Sequence, residues 1–183
     1  EVYEHLIFDG ARHESAHYYP ELRERAFIVS SFGKTFHVTG WKIGYCVAPA
    51  ALTREFRKVH QYVTFCTTAP MQAALAQYLE DPATYEGLPR FYQEKRDLFA
   101  SLIQGGPLKL LPCRGTYFQL ADYGAVSQAS DVDYAVQLTK ELGVATVPTS
   151  PFYHDGFDPK VIRFCFAKQE STLREAAKRL AKL

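Results

Sequence analysis

Lys34 stands in the run Ser30-Ser31-Phe32-Gly33-Lys34-Thr35, directly after the apolar segment Ala26 to Val29, and a second cation follows in Gly40-Trp41-Lys42-Ile43-Gly44. A strand that ends in small, hydroxylated residues lets backbone and serine groups approach a phosphate, while a neighbouring amine can condense with a carbonyl. An amine beside an anion cradle suits an anionic aldehyde cofactor, and pyridoxal phosphate is the candidate. A third cation, Arg163, lies in Val161-Ile162-Arg163-Phe164-Cys165-Phe166. A charge inside an otherwise apolar strand is costly unless it meets a planar anion or a structural partner. His13 and His17 have ligand-like spacing, but no third ligand accompanies them and they fall in a polar stretch, so no metal is expected.

The elements that must position these residues alternate between strand and helix patterns, the signature of an α/β or α+β architecture. Val2 to Phe8 reads as a strand closing at the turn-favouring Asp9-Gly10, and residues 11–24 read as a surface loop. Short buried strands are expected at Ala26 to Ser30 and Ile43 to Ala48, on either side of Lys34. Leu52, Phe56, Val59 and Val63 recur at helical spacing, which predicts an amphipathic helix over 51–63. Pro70 opens a second helix through Leu79, since proline is tolerated in the first turn. A long helix is expected from Thr84 to Ile103, ending at Gly105-Gly106-Pro107. Beyond it, Leu108 to Leu111 and Thr116 to Leu120 suggest a hairpin. Asp131 reads as the cap of a helix closed by Gly143, Val144 to Val147 and Val161 to Phe166 read as strands, and Ser171 to Leu183 as a terminal helix. A domain boundary is placed near residues 81–84.

The chain has 183 residues, 47% of them apolar, enough to build a buried core and too many for disorder. A net charge of +1 leaves no electrostatic footprint for nucleic acid or an anionic membrane. Cys46, Cys66, Cys113 and Cys165 are dispersed, with no C-x-x-C pair, which argues against a disulfide scaffold or zinc site. No stretch has the length of a membrane span, so a cytoplasmic protein is expected. The opening Glu1-Val2-Tyr3-Glu4, without an initiator Met, suggests a piece of a longer chain.

The blocks Ser31-Phe32-Gly33-Lys34-Thr35-Phe36, Gly40-Trp41-Lys42-Ile43-Gly44-Tyr45 and Val59-His60-Gln61 resemble the fold-type-I pyridoxal-phosphate aminotransferases of class I/II, in the branch that acts on kynurenine, glutamine and methionine. The resemblance covers the whole chain and corresponds to the second half of a full-length enzyme. It implies an α/β fold, with 1–83 the C-terminal part of the cofactor-binding large domain and 84–183 a small α+β domain. Lys34 then condenses with the cofactor aldehyde and moves the proton between Cα and C4′. Ser31 and Lys42 bind the phosphate, although many relatives carry Arg at the second position. Tyr3 hydrogen-bonds the cofactor O3′, and Arg163 clamps the substrate α-carboxylate near the segment Gly115-Thr116-Tyr117. Phe65 falls where close relatives lend an aromatic ring across a homodimer to the partner's substrate pocket.

The implied activity of the parent protein is transfer of an amino group from an amino acid (methionine, glutamine, aromatic or kynurenine-like) to a 2-oxo acid. A C–S β-lyase on the same fold and a non-catalytic module of a transcription regulator share these motifs. One family feature falls outside the chain: the aspartate that keeps the pyridinium nitrogen protonated would precede Glu1. The isolated fragment is therefore expected to be inactive.

Overall fold

The computed structural model describes residues 1–183. They separate into two compact units, Glu1–Pro89 and Arg90–Leu183.

The first unit departs from expectation at its start. Val2 to Phe8 forms no strand: the Leu6 N–H donates to the Tyr3 carbonyl at 2.9 Å, closing a turn, and only Ile7 makes an isolated bridge. Its apolar residues act as core plugs instead, with Leu6 and Phe8 buried. The segment 11–24 is not wholly loop. Ser15 caps a 3-10 turn at Ala16–Tyr18 by accepting from the His17 N–H, and Pro20 begins a one-turn helix, α1 (Pro20–Arg23).

Strand β1 (Ile28–Ser31) then leads into the single turn α2 (Phe32–Thr35), and the chain returns as β2 (Gly44–Val47). The two strands pair antiparallel from Ile28↔Val47 to Ser31↔Gly44. β1 alternates in and out, but every residue of β2 is exposed, contrary to the expectation of a buried strand. The sheet here has two strands only, so β2 has no neighbour on its outer edge. Helices α3 (Ala50–Val63) and α4 (Ala69–Tyr78) follow where predicted. No residue of α3 is buried, and Val59 and Val63 of its apolar stripe are 62% and 79% exposed.

The expected long helix is two: α5 (Ala83–Glu86) and α6 (Leu88–Ile103). Gly87 separates them, and Pro89 has no N–H to donate to the Tyr85 carbonyl, so the ladder cannot run through.

In the second unit α6 packs one face, Tyr92, Phe99 and Ile103, onto an antiparallel sheet. That sheet contains β3 (Lys109–Leu110), β4 (Phe118–Asp122), β5 (Val147–Pro148) and β6 (Val161–Cys165) in the order β3-β4-β6-β5. Between β4 and β5 lies α7 (Asp131–Gln137), prolonged by a π-helical turn at Leu138–Leu142 and ended by Gly143 in the left-handed region at φ 64°. Helix α8 (Glu170–Leu180) closes the unit with Leu173, Ala177 and Leu180 buried at helical spacing. Ile162 and Phe166 are wholly inside and Phe164 meets Phe99 with ring centroids 5.4 Å apart, which puts the core between the sheet and α6.

Two local readings are corrected by the structure. The cap of α7 is Ser130, whose Oγ accepts from the Asp133 N–H, because the Asp131 carboxylate is engaged elsewhere. Val144 to Thr146 does not extend β5, which is held to Val147 and Pro148 by a short pairing with β6.

Candidate functional site

Lys34 occupies α2, the turn between β1 and β2. Ser31 caps that turn: its Oγ accepts from the Gly33 N–H at 3.1 Å and lies 3.4 Å from the Ile43 carbonyl. The close fit explains Gly33, where a Cβ would stand 3.0 Å from Thr39 Cα and 3.3 Å from Ser31 Oγ. At Gly44 a Cβ would collide with the Ser30 carbonyl oxygen, so glycine permits the strand pairing that closes the loop. Within this packed turn the half-buried Lys34 amine makes no hydrogen bond or ion pair. Lys42, which ends the 3-10 turn Thr39–Trp41 in the left-handed region at φ 57°, is exposed and equally unengaged.

A phosphorylated aldehyde matches this donor set. It needs an amine that is not neutralised by a carboxylate, a cation for the phosphate and a hydroxyl to share. Ser31 meets the last demand partly. Its lone pair serves the helix cap, and its proton is free to turn from a carbonyl at the long limit of hydrogen bonding. Tyr3 lies half-buried in the N-terminal turn. Beside it sequence reasoning missed a polar cluster: Glu4 Oε1 accepts from Ser30 Oγ at 2.7 Å and from the Tyr45 hydroxyl at 3.2 Å, while Glu4 Oε2 is buried without a partner. Burial and the adjacent Glu4 charge push the Tyr45 phenol above its ordinary pKa, despite the opposing contact with Ser30. No pattern in the sequence marks Glu4, because its partners come from two strands distant in the chain.

Phe65 is 82% exposed with φ 68°, a left-handed conformation that a bulky residue rarely holds. It is not a core residue of its unit.

In the second unit Arg163 sits on β6, between β4 and β5, opposite Leu120 and Val147. Its guanidinium lies 4.1 Å from the centroid of the Phe118 ring and 5.4 Å from that of Phe152. No carboxylate pairs with it, and Nε is buried without a hydrogen-bond partner. The structural salt bridge that would explain an arginine here is absent. A planar anion is the group that such a cation lacks. Phe118 and Phe152 were not legible as site residues. Phe118 is two positions from Leu120 on the same face of β4, a diagonal neighbour that only the register reveals. Thr116, in the segment Gly115-Thr116-Tyr117, is strained at φ 64°, with its Oγ1 accepting from the Phe118 N–H at 3.1 Å.

A lysine-bearing turn between paired strands, followed by a compact α+β unit with an unpaired strand arginine, defines a class that the comparisons identify. The sequence profile described as aminotransferase class I and II matches residues 1–180, and the chain belongs to that family, which depends on pyridoxal phosphate and has the type I fold. Methionine aminotransferase of Escherichia coli K12 is 54% identical over 184 residues, covering 100% of this chain and 48% of that protein. Kynurenine–oxoglutarate transaminase of Dictyostelium discoideum is 37% identical, covering 100% of this chain and 47% of its own. Among solved structures, one of an Escherichia coli protein with methionine aminotransferase function superposes with a TM-score of 0.95 at 54% identity, covering 100% of this chain and 49% of that one. N-succinyldiaminopimelate aminotransferase from Mycobacterium tuberculosis does so with a TM-score of 0.89 at 34% identity, covering 100% and 48%. The chain thus spans about half the length of the relatives it matches.

Proposed function

We propose that the full protein transfers an amino group from an amino acid, methionine or an aromatic amino acid first among them, to a 2-oxo acid. The observation that carries this reading is the Lys34 amine, half-buried in a tightly packed turn and paired with no anion. When bound, pyridoxal phosphate supplies an aldehyde that condenses with amines and a ring that draws electrons from the α-carbon. Lys34 Nζ would hold the cofactor and, as a free amine, would take up and return the proton of the substrate Cα–H. Lys42 and Ser31 hold the phosphate, Lys42 as a point charge in place of the bidentate fork of an arginine. Tyr3 donates its phenolic proton toward O3′. Arg163 grips the substrate carboxylate and so orients Cα–H for removal.

In this reading residues 1–83 belong to the cofactor-binding large domain and residues 84–183 are the small domain. Phe65 reaches the substrate pocket of a partner in a homodimer, and its exposure and strained backbone support that role. No helix is long and apolar enough to cross a membrane. A cytoplasmic enzyme without nucleic-acid partners is the reading most consistent with the near-neutral charge.

The test is made on the full-length protein. Borohydride reduction followed by peptide mapping is expected to place the modification on Lys34, and incubation with methionine and a 2-oxo acid is expected to yield the new amino acid. Modification of another lysine refutes the assignment. Release of pyruvate, ammonia and a thiol from a cysteine S-conjugate, whose sulfur is on Cβ, with no new amino acid formed from methionine and the 2-oxo acid, would make the protein a β-lyase.

A further inference from the structure

Asp131 is wholly buried at the head of α7, yet no cation meets it. Its carboxylate is not needed as the helix cap, a task Ser130 performs. It accepts instead from the Thr149 N–H at 2.7 Å, the Ser150 N–H at 2.6 Å and the Ser150 hydroxyl at 2.6 Å. Three donors on a buried carboxylate hold the 3-10 turn Ser150–Phe152 from inside. Thr149 adds a tie to the sheet, its Oγ1 donating to the Val161 carbonyl at 2.9 Å.

That turn is flanked on both sides by contacts to Arg163. Just before it, Val147 is the register partner of Arg163 and Pro148 that of Ile162. At its end, the Phe152 ring lies over the guanidinium. Polar contacts do not aim Arg163, since its Nε is buried with no partner. Its direction depends on the strand pairing and on two rings. Phe118 is held by the β4 register, whereas Phe152 is 67% exposed and its ring depends on the turn that carries it.

We propose that Asp131 is a positioning residue for Arg163: by fixing Thr149 and Ser150 it holds Val147 and Phe152 against the guanidinium and so aims it at a substrate carboxylate. This inference rests on the reading of Arg163 as the carboxylate clamp. Misplacement of a binding group weakens substrate capture first, so the effect appears in KM before kcat.

A double-mutant cycle in the full-length enzyme tests it, with methionine as substrate and thermal melting as the check on folding. Arg163→Lys is expected to raise KM on the order of 100-fold, and Asp131→Asn about 10-fold with kcat nearly unchanged. Because Asp131 acts through Arg163, the double variant is expected to have the KM of Arg163→Lys alone. Should Asp131→Asn fail to fold, Ser150→Ala, which removes one of the three bonds, takes its place in the same cycle. An unchanged KM in the single variant, or multiplied effects in the double, overturns the positioning role while leaving the clamp intact. If Arg163→Lys itself leaves KM unaltered, the clamp reading falls and the inference falls with it.

Discussion

Lys34 and Arg163 are both cations without an anionic partner, yet the two units hold them by different means. Around Lys34 the geometry is local: a serine cap, two glycines that allow close approach, and a left-handed Lys42, all within fifteen residues from Ser30 to Gly44. Around Arg163 it is assembled from afar, with β4, β5 and β6 bringing together Phe118, Val147 and Phe152. The surroundings differ in the same sense. Arg90–Leu183 closes its sheet with α6 and α8 over wholly buried residues such as Ile162 and Phe166. In Glu1–Pro89, α3 has no buried residue and β2 is exposed throughout. An amine can thus be placed by turn chemistry alone, whereas an arginine in a sheet needs a finished core around it.

The sharpest break in that comparison is chemical. If Lys34 has the role proposed above, Lys34→Ala in the full-length protein is expected to lower kcat by about 10,000-fold, since it would remove the proton-transfer group as well as the attachment. Melting should be little affected; a matching collapse of stability would show that the amine has a structural role.

Core substitutions probe the two surroundings. Ile162→Ala is expected to destabilise the 183-residue chain by about 2–5 kcal/mol, because a fully buried side chain leaves a cavity. Val59→Ala, on the bare stripe of α3, is expected to change it by less than ~0.5 kcal/mol. Urea denaturation of both variants decides the matter, and equal effects would erase the contrast between the units.

Gly44→Ala sharpens the claim of local control. The added Cβ meets the Ser30 carbonyl, so β1 and β2 must part, at an expected cost of about 1–3 kcal/mol. Loss of borohydride-reducible cofactor with the second unit still folded, seen by amide exchange, is the expected pattern.

The smallest effect concerns pH. Burial, the largest influence, pushes the Asp158 carboxylate up, but the hydrogen bonds from Lys160 and from the Asp131 N–H together leave it below its ordinary value. A lowered folded pKa means that the unfolded chain binds the proton more readily. The stabilisation is therefore present above the ordinary carboxylate range and lost as pH falls through the folded value. Asp158→Asn is expected to flatten that acid-side loss slightly, and an unchanged profile of unfolding midpoint against pH would contradict it.

Much of this was readable in advance where neighbours along the chain decide the outcome. The α3 stripe, the proline at the start of α4, the strands on either side of Lys34 and the arginine out of place in β6 all follow from local pattern. Misreadings arose where a distant group competed. Val2 to Phe8 has strand composition but no partner strand, so its backbone closes a turn. Asp131 has the chemistry of a helix cap, yet Thr149 and Ser150 claim its carboxylate.

From its residues alone, the chain declared its family and marked Lys34 and Arg163 as candidates, because those motifs are short. That Asp131 reaches across to the Ser150 turn, that Phe118 and Phe152 flank Arg163, and that no carboxylate neutralises either cation emerged only on folding. Such contacts join residues far apart in sequence, and their energies depend on burial and register, neither of which a linear pattern encodes.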